Sequence, residues 1–256
     1  MKTILYSVVI VLAALVRATD AAAGVTYDFR TVTTGMQASD QQGHVSSDGA
    51  NVRLEFKAGD GTLFRNGTVA ISHNGGATLD VLDPASKTFW TLDVASLTPA
   101  GLADMVKMTN EKVNVRDAGD GGAIETYPTH HKVITAAADM NIGSAPAMRI
   151  ELTMESWTTE KIPSEAATFL QRRLGSTGLP MIDKLIAAQS DQVKGFPLKQ
   201  ITNMKVAQGG STMIEMTSTT TVTNVKNGPV AATTFTVPAD YKKVASPVEK
   251  MMSPGQ

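Results

Sequence analysis

Apolar and polar side chains alternate along several stretches of the chain, which is the pattern of a strand with one buried face. The alternation is clearest in residues 25–30, 51–56 and 148–155. Asp48-Gly49 and Asn66-Gly67 are dipeptides that favour the tight turns of β-hairpins. The pattern therefore predicts an antiparallel sheet built largely from hairpins.

A hairpin over residues 76–93 is the organising unit of this prediction. Two apolar runs, 79–82 and 89–92, flank Asp83-Pro84, whose side-chain oxygen and fixed φ suit a turn. Further extended segments are predicted at 62–64, 69–71, 112–115, 124–135, 197–206, 212–225 and 232–237, with a Gly/Asp turn at 117–122. Together these segments predict about ten to twelve strands.

Two segments have helical spacing instead. Thr98-Pro99 can cap and start a helix that extends to Val106. Residues 164–189 carry two apolar stripes joined by a short link at Gly175, which predicts an αα-hairpin. An antiparallel sheet exposes one face unless something covers it. We therefore expect an α+β fold, in which a strongly curved antiparallel sheet wraps around a helix and a helical hairpin.

The first 23 residues have the features of a signal peptide. Lys2 supplies a basic start, residues 4–16 are almost wholly apolar, and Ala21-Ala22-Ala23 offers an A-x-A cleavage site. An uncleaved anchor is the alternative, but the apolar run is short for a membrane span. We expect a signal peptide over 1–23, a single domain over 24–245 and a flexible tail over 246–256. The mature protein is then periplasmic or secreted, without stable membrane insertion after signal cleavage.

Composition narrows the classes of function. The chain has 256 residues, a formal net charge of -1, 18% charged residues and no Cys. A near-neutral charge argues against nucleic-acid binding, which needs clustered Lys and Arg. The absence of Cys excludes disulfides, thiolate metal sites and Cys nucleophiles.

The sequence designates no catalytic residue, metal ligand or cofactor site. His130 and His131 are adjacent, so on a strand they would point to opposite faces and could not share one ion. The Asp/Gly segment at 117–122 lacks the ligand spacing and closing Glu of a calcium loop. No G-x-S-x-G elbow occurs. A hydrolase stays open as an alternative, because two catalytic carboxylates need not be close in sequence.

Five stretches together resemble a family of secreted bacterial proteins that contain a domain of unknown function, number 4412. The stretches are LDVLDPASKTFWTLD at 79–93, IETYPTHHKV at 124–133, ESWTTEKIP at 155–163, KGFPLK at 194–199 and TTFTVPADYKKV at 233–244. The chain departs from the family pattern at His130-His131 and at Ala239-Asp240. The resemblance implies the fold of the periplasmic lipoprotein-sorting carriers, a half-barrel sheet with a helical lid over an apolar hollow. It implies no catalytic activity.

Large apolar side chains in the predicted strands and in the helical hairpin are the candidates for ligand contact. They either fill the core or line a cavity for an apolar ligand. These candidates are Trp90, Trp157, Phe169, Leu170, Ile182 and Leu185.

The leading functional hypothesis is non-enzymatic binding of an apolar ligand, such as a lipid or an acylated peptide, beneath the helical lid. The first alternative is a module with a filled core that recognises another cell-envelope protein through its sheet. The second alternative is the hydrolase. None of these three hypotheses involves nucleic acid or a bound cofactor.

Overall fold

The computed structural model describes residues 23–36, 38–59, 64–97, 106–143, 146–162 and 194–247. The described residues form twelve strands and two short 3-10 turns. The strands are β1 Ala23–Gly35, β2 Ser39–Ser47, β3 Val52–Ala58, β4 Val69–Ser72, β5 Thr78–Asp83, β6 Thr88–Asp93, β7 Val106–Ile124, β8 Tyr127–Ile142, β9 Met148–Thr159, β10 Phe196–Gln208, β11 Ser211–Pro229 and β12 Lys242–Lys243, and the 3-10 turns are Val94–Leu97 and Ala232–Phe235.

All twelve strands belong to one open sheet, in the order β12-β6-β5-β4-β3-β2-β1-β11-β10-β9-β8-β7. Strands β1 to β6 follow one another as neighbours, and so do β7 to β11. The pairing of β1 with β11 joins these two meanders. Every pairing is antiparallel except that of β12 with β6. The predicted large, curved antiparallel sheet of ten to twelve strands is therefore confirmed.

The two faces of the sheet can be followed from strand to strand through the register. On β1, Tyr27 points to one face and Asp28 to the other, and we call these the Tyr27 face and the Asp28 face. Directly opposed residues share a face, so one row on the Tyr27 face crosses six strands. This row is Tyr27, Val45, Leu54, Ala70, Val81 and Trp90.

The main core packs on the Tyr27 face of β1 to β6. Its buried members are Val25, Tyr27, Phe29, Val45, Val52, Leu54, Phe56, Ala70, Leu79, Val81, Leu92, Ile162, Phe196, Leu198 and Val222. Tyr27 meets Phe196 edge to face with ring centroids 5.2 Å apart, a geometry that adds about 0.5–1.5 kcal/mol to the burial of area. The alternating pattern that predicted β1 and β3 thus reflects these buried positions.

The Asp28 face carries a smaller apolar cluster beneath the C-terminal segment. Val69, Ile71 and Leu82 pack there against Val230 and Phe235. The segment after β11 crosses back over strands β4 to β6 before β12 pairs with β6. This cluster fixes the chain end to the first meander.

The strand predicted at 232–237 is wrong. Residues Ala232–Phe235 form a 3-10 turn, in which the Thr234 N–H donates to the Ala231 carbonyl. Phe235 is buried in the cluster on the Asp28 face. The apolar residue among the Thr residues therefore packs into this cluster and does not belong to a paired strand.

The turn predicted at 117–122 is also wrong, since β7 continues through it to Ile124. Gly119 and Gly122 have positive φ, and the β7–β8 register shifts near both. Glycine at such positions permits bulges as well as turns. The hairpin instead turns at Glu125-Thr126, where Glu125 has a φ of 53°.

The tip of the β7–β8 hairpin shows how strongly the sheet bends. The backbone N–H of Asn224 on β11 donates to the Glu125 carboxylate at 2.9 Å. Strands β8 and β11 have two strands between them, which is about 14 Å in a flat sheet. Ile124 and Tyr127 also pack against the main core. The hairpin must therefore arch over the ends of β9 and β10.

The helix predicted from Thr98 lies outside the described residues, apart from Val106, which begins β7. The αα-hairpin at 164–189, the leader up to residue 22 and residues 248–256 also lie outside them. Ser246, in the predicted tail, is buried. Within the described part of the chain, no helix has the length and apolarity to cross a membrane.

Two donors in the main core lack a hydrogen-bond partner among the described residues. These are the Tyr27 hydroxyl and the Trp90 indole N–H. Tyr27 has 0% of its surface exposed, and this burial raises the pKa of its phenol well above the ordinary value, so the hydroxyl stays protonated. A buried polar group without a partner costs about 1–3 kcal/mol.

Tyr27→Phe should therefore keep the ring packing and remove only an unpaired hydroxyl. We expect the free energy of unfolding in urea to stay equal or to rise, by up to about 1–3 kcal/mol. Tyr241→Phe, at the half-buried ring beside the Asp28-face cluster, is the matched control. A loss of more than about 1 kcal/mol in Tyr27→Phe would show that the hydroxyl is hydrogen-bonded after all.

Candidate functional site

Methionines gather on the Tyr27 face of the second meander. We call them the methionine surface: Met108, Met140, Met148, Met154, Met204 and Met216. Their common face follows from the register, because Met204 opposes both Met216 and Leu152, and Met140 opposes both Met108 and Met148. Met154 is buried, and the other five are half-buried. These five thioether side chains therefore reach the surface.

The methionine surface surrounds a small buried apolar cluster on the same face of the sheet. The cluster consists of Ile134, Ala136, Ala138, Leu152 and Met154. Met108, Met204, Val113 and Val115 pack against it and stay partly exposed. Methionine is unbranched and polarizable, so a surface built from it can adapt to apolar partners of different shape.

A row of polar residues separates this region from the main core. It crosses seven strands on the Tyr27 face: Gln41, Thr31, Thr220, Gln200, Ser156, Lys132 and Asp117. The Thr31 and Thr220 hydroxyls lie 2.9 Å apart in a hydrogen bond. Thr220, Gln200 and Ser156 are buried. The Tyr27 face therefore carries two apolar regions, the main core and the methionine surface, with the polar row between them.

The structure does not bring the two candidate tryptophans together. Trp90 ends the six-strand row on the Tyr27 face and packs, half-buried, against the main core. Trp157 lies on the Asp28 face, because its neighbour Ser156 belongs to the polar row on the other side. The remaining candidates Phe169, Leu170, Ile182 and Leu185 lie outside the described residues.

Trp157 is the centre of a polar and aromatic stack on the Asp28 face. The His131 ring lies parallel to it with centroids 4.2 Å apart, and the Lys199 ammonium lies 4.7 Å from the ring centroid. The Glu155 carboxylate is 2.9 Å from His131 Nε2. A Cβ on Gly121 would come within 2.7 Å of Trp157 Cδ1, so the ring needs a glycine there.

The two adjacent histidines point to opposite faces, as alternation requires. His131 stacks on Trp157, whereas His130 Nε2 lies 2.6 Å from the Asp117 carboxylate. The hydrogen bond with His130, and a second from the Gly119 N–H, lower the pKa of Asp117. Among the described residues, no three His, Asp or Glu side chains are grouped as a metal site requires.

The Asp28 carboxylate is hydrogen-bonded to three side chains on the Asp28 face. It lies 2.8 Å from His44 Nδ1, 3.1 Å from Lys57 Nζ and 2.9 Å from Asn224 Nδ2. Burial acts to raise the pKa of Asp28, but hydrogen bonds with His44, Asn224 and Lys57 outweigh it and lower the pKa to about 2. The group ties β1, β2, β3 and β11 together as a permanent anion.

The described carboxyl groups with a clearly shifted pKa are held in their ionised form. Wherever a described carboxyl group has a clearly shifted pKa, the shift is downward; these groups are Asp28, Asp40, Asp83, Asp117, Asp139 and Asp240. A catalytic acid that works near neutral pH needs a raised pKa. Their arrangement is that of ion pairs and capped turns.

Sequence reasoning missed the methionine surface, although the spacing contained a signal. Met204 and Met216 are equally distant from Gly210 in the β10–β11 turn. Met140 and Met148 are likewise symmetric about the turn between β8 and β9. Residues symmetric about a tight turn face each other across the hairpin.

The family model described as Domain of unknown function (DUF4412) matches residues 31–241. The chain belongs to this family, which confirms the family prediction. A comparison with curated proteins found no match.

Solved structures with a similar course of chain include an uncharacterized conserved protein from Thermus thermophilus. It is 10% identical, with a TM-score of 0.40, and the alignment covers 87% of this chain and 90% of that one. Another is a LolA superfamily protein from Nitrosomonas europaea, 9% identical with a TM-score of 0.33, covering 85% of this chain and 91% of that one. Similarity at this level carries no information about a ligand.

Asp28→Asn tests the anionic anchor. The pKa of Asp28 is lowered on folding, so its contribution is present above the unfolded pKa near 3.8 and is lost as pH falls toward 2. The shift corresponds to at most about 2 kcal/mol, and solvent screening reduces this to roughly 1 kcal/mol, because the side chain is 30% exposed.

We therefore expect Asp28→Asn to be less stable than the wild type at pH 7, and the difference to shrink as the pH falls from about 4 to about 2. Urea unfolding across this range measures it. Asp40→Asn, at an exposed ion pair with Arg30, is the control and should change stability little. A difference that persists unchanged at pH 2 would mean that Asp28 is not the titrating group.

Proposed function

We propose that the protein binds an apolar ligand, a lipid or an acylated peptide, on the methionine surface. The observation that carries the proposal is the set of five half-buried methionines on one face, around a buried apolar cluster. Large apolar side chains that are grouped on one face and stay partly exposed often mark a binding site. Thioether side chains suit acyl chains, because they repack at low cost.

The packing of the first meander favours the second meander as the ligand-binding part of the sheet. The main core is closed by fully buried side chains such as Leu54 and Val81, so it offers the ligand no surface. Trp90 then acts as part of the core, and Trp157 belongs to the opposite face. Five of the six methionines, by contrast, stay partly exposed.

We propose further that this binding is non-enzymatic and takes place in the periplasm or outside the cell. The signal-peptide pattern of residues 1–23 supports the compartment, and the lowered pKa values of Asp28 and Asp117 make these two carboxylates unsuited to acid catalysis. The polar row lies at one end of the methionine surface. An amphiphile could place its chain on the methionines and its polar end near that row.

Met204→Glu tests the proposal. Met204 lies between Leu152 and Met216, so a carboxylate there would lie where an acyl chain should pack. We expect binding of a fluorescent fatty-acid probe to weaken by at least about tenfold, which is about 1.4 kcal/mol. The half-buried position lets the carboxylate reach water, so thermal unfolding should stay cooperative.

Met213→Glu is the matched control, because Met213 is 56% exposed and lies outside the methionine surface. This variant should bind the probe as the wild type does. A wild type that binds no probe would remove the proposed function and favour the module that contacts an envelope protein. Equal loss in both variants would show that the effect is general repulsion and not contact.

A further inference from the structure

Three methionines of the surface stand side by side in a single cross-strand row. Met108 on β7 opposes Met140 on β8, and Met140 opposes Met148 on β9. Directly opposed residues in antiparallel strands have Cβ atoms about 4.5–5.5 Å apart. All three are half-buried. Three thioether sulfurs can therefore converge above the central Met140 while remaining accessible from solvent.

The neighbouring strand extends this row with an oxygen donor. Gln208 on β10 opposes Met148. Its Nε2 donates to the Pro146 carbonyl at 3.0 Å, which fixes the orientation of the amide. The side-chain carbonyl oxygen of Gln208 takes no part in this hydrogen bond. Gln208 lies next to Met148, at the end of the three-methionine row.

We propose that Met108, Met140 and Met148 form a site for a soft monovalent cation of the Cu(I) class. Thioether and thiolate ligands select Cu(I) over harder ions, and this chain has no Cys. The other cross-strand methionine pair, Met204 and Met216, offers only two thioethers in its row, beside Leu152. The three-methionine row is thus the one place among the described residues where the register brings three thioethers into a single cross-strand row.

The chemistry of thioethers gives this site a distinctive pH dependence. Cys and His ligands must lose a proton before they bind a metal, so their affinity rises with pH. A methionine sulfur has no proton to lose. Binding at the three-methionine row should therefore stay constant between about pH 5 and about pH 8, across the range in which histidine titrates near 6.5.

The test is anaerobic titration of the full chain with Cu(I), supplied as its bicinchoninate complex, on the wild type and two leucine variants. Leucine nearly matches methionine in volume and keeps the surface apolar. Wild type should take up one ion per chain. Met140→Leu should bind at least about tenfold more weakly, which is about 1.4 kcal/mol. Met204→Leu should bind as the wild type does.

The fatty-acid probe separates this inference from the proposed function. The wild type is titrated with each ligand separately, so that uptake of Cu(I) and binding of the probe are scored independently. No uptake of Cu(I) by the wild type, or an equal loss in Met140→Leu and Met204→Leu, would overturn the cation site and leave apolar binding intact. Affinity that falls as pH drops through the histidine range would also overturn it, since it would assign the ion to the histidines.

Discussion

The pairing of β1 with β11 is the contact on which the rest of the structure depends. Most neighbouring strands within each meander are close in sequence, but this pairing joins distant residues such as Thr31 and Thr220, which are 189 positions apart. Such long-range contacts cost chain entropy before they contribute stability. Without the pairing, each meander would present an unpaired strand edge. The pairing of β1 with β11 therefore joins the two meanders into one sheet.

Strand pattern and turn chemistry predicted most of the sheet, because its buried faces alternate with solvent. Strand β2 has no such signal: Ser39–Ser47 is almost wholly polar and keeps its place through pairing on both sides. The bend in the β7–β8 hairpin was misplaced, since Gly119 and Gly122 are typical of a turn but act as bulges. Tertiary pairing decides such positions, and local composition does not.

The candidate site was predicted less well than the fold, for a physical reason. Bulky aromatic residues such as Trp90 and Trp157 attract attention in a sequence, but the face to which each points depends on long-range register. The register placed these two on opposite faces. The methionine surface was missed for the opposite reason, because a single methionine in a sequence does not indicate a binding site. It becomes a surface only when Met140 and Met204 are brought onto one face by five paired strands.

The polar row across the Tyr27 face explains how one sheet can hold a rigid core and an adaptable surface together. Hydroxyls such as those of Thr31 and Thr220 bond to each other and require fixed geometry, so they resist the repacking that methionines permit. Changes of packing at Met204 therefore meet a boundary before they reach Phe29 and Val222 in the main core. A continuous apolar face would transmit them, because close-packed interiors carry strain. The row thus separates the methionines of the second meander from the main core.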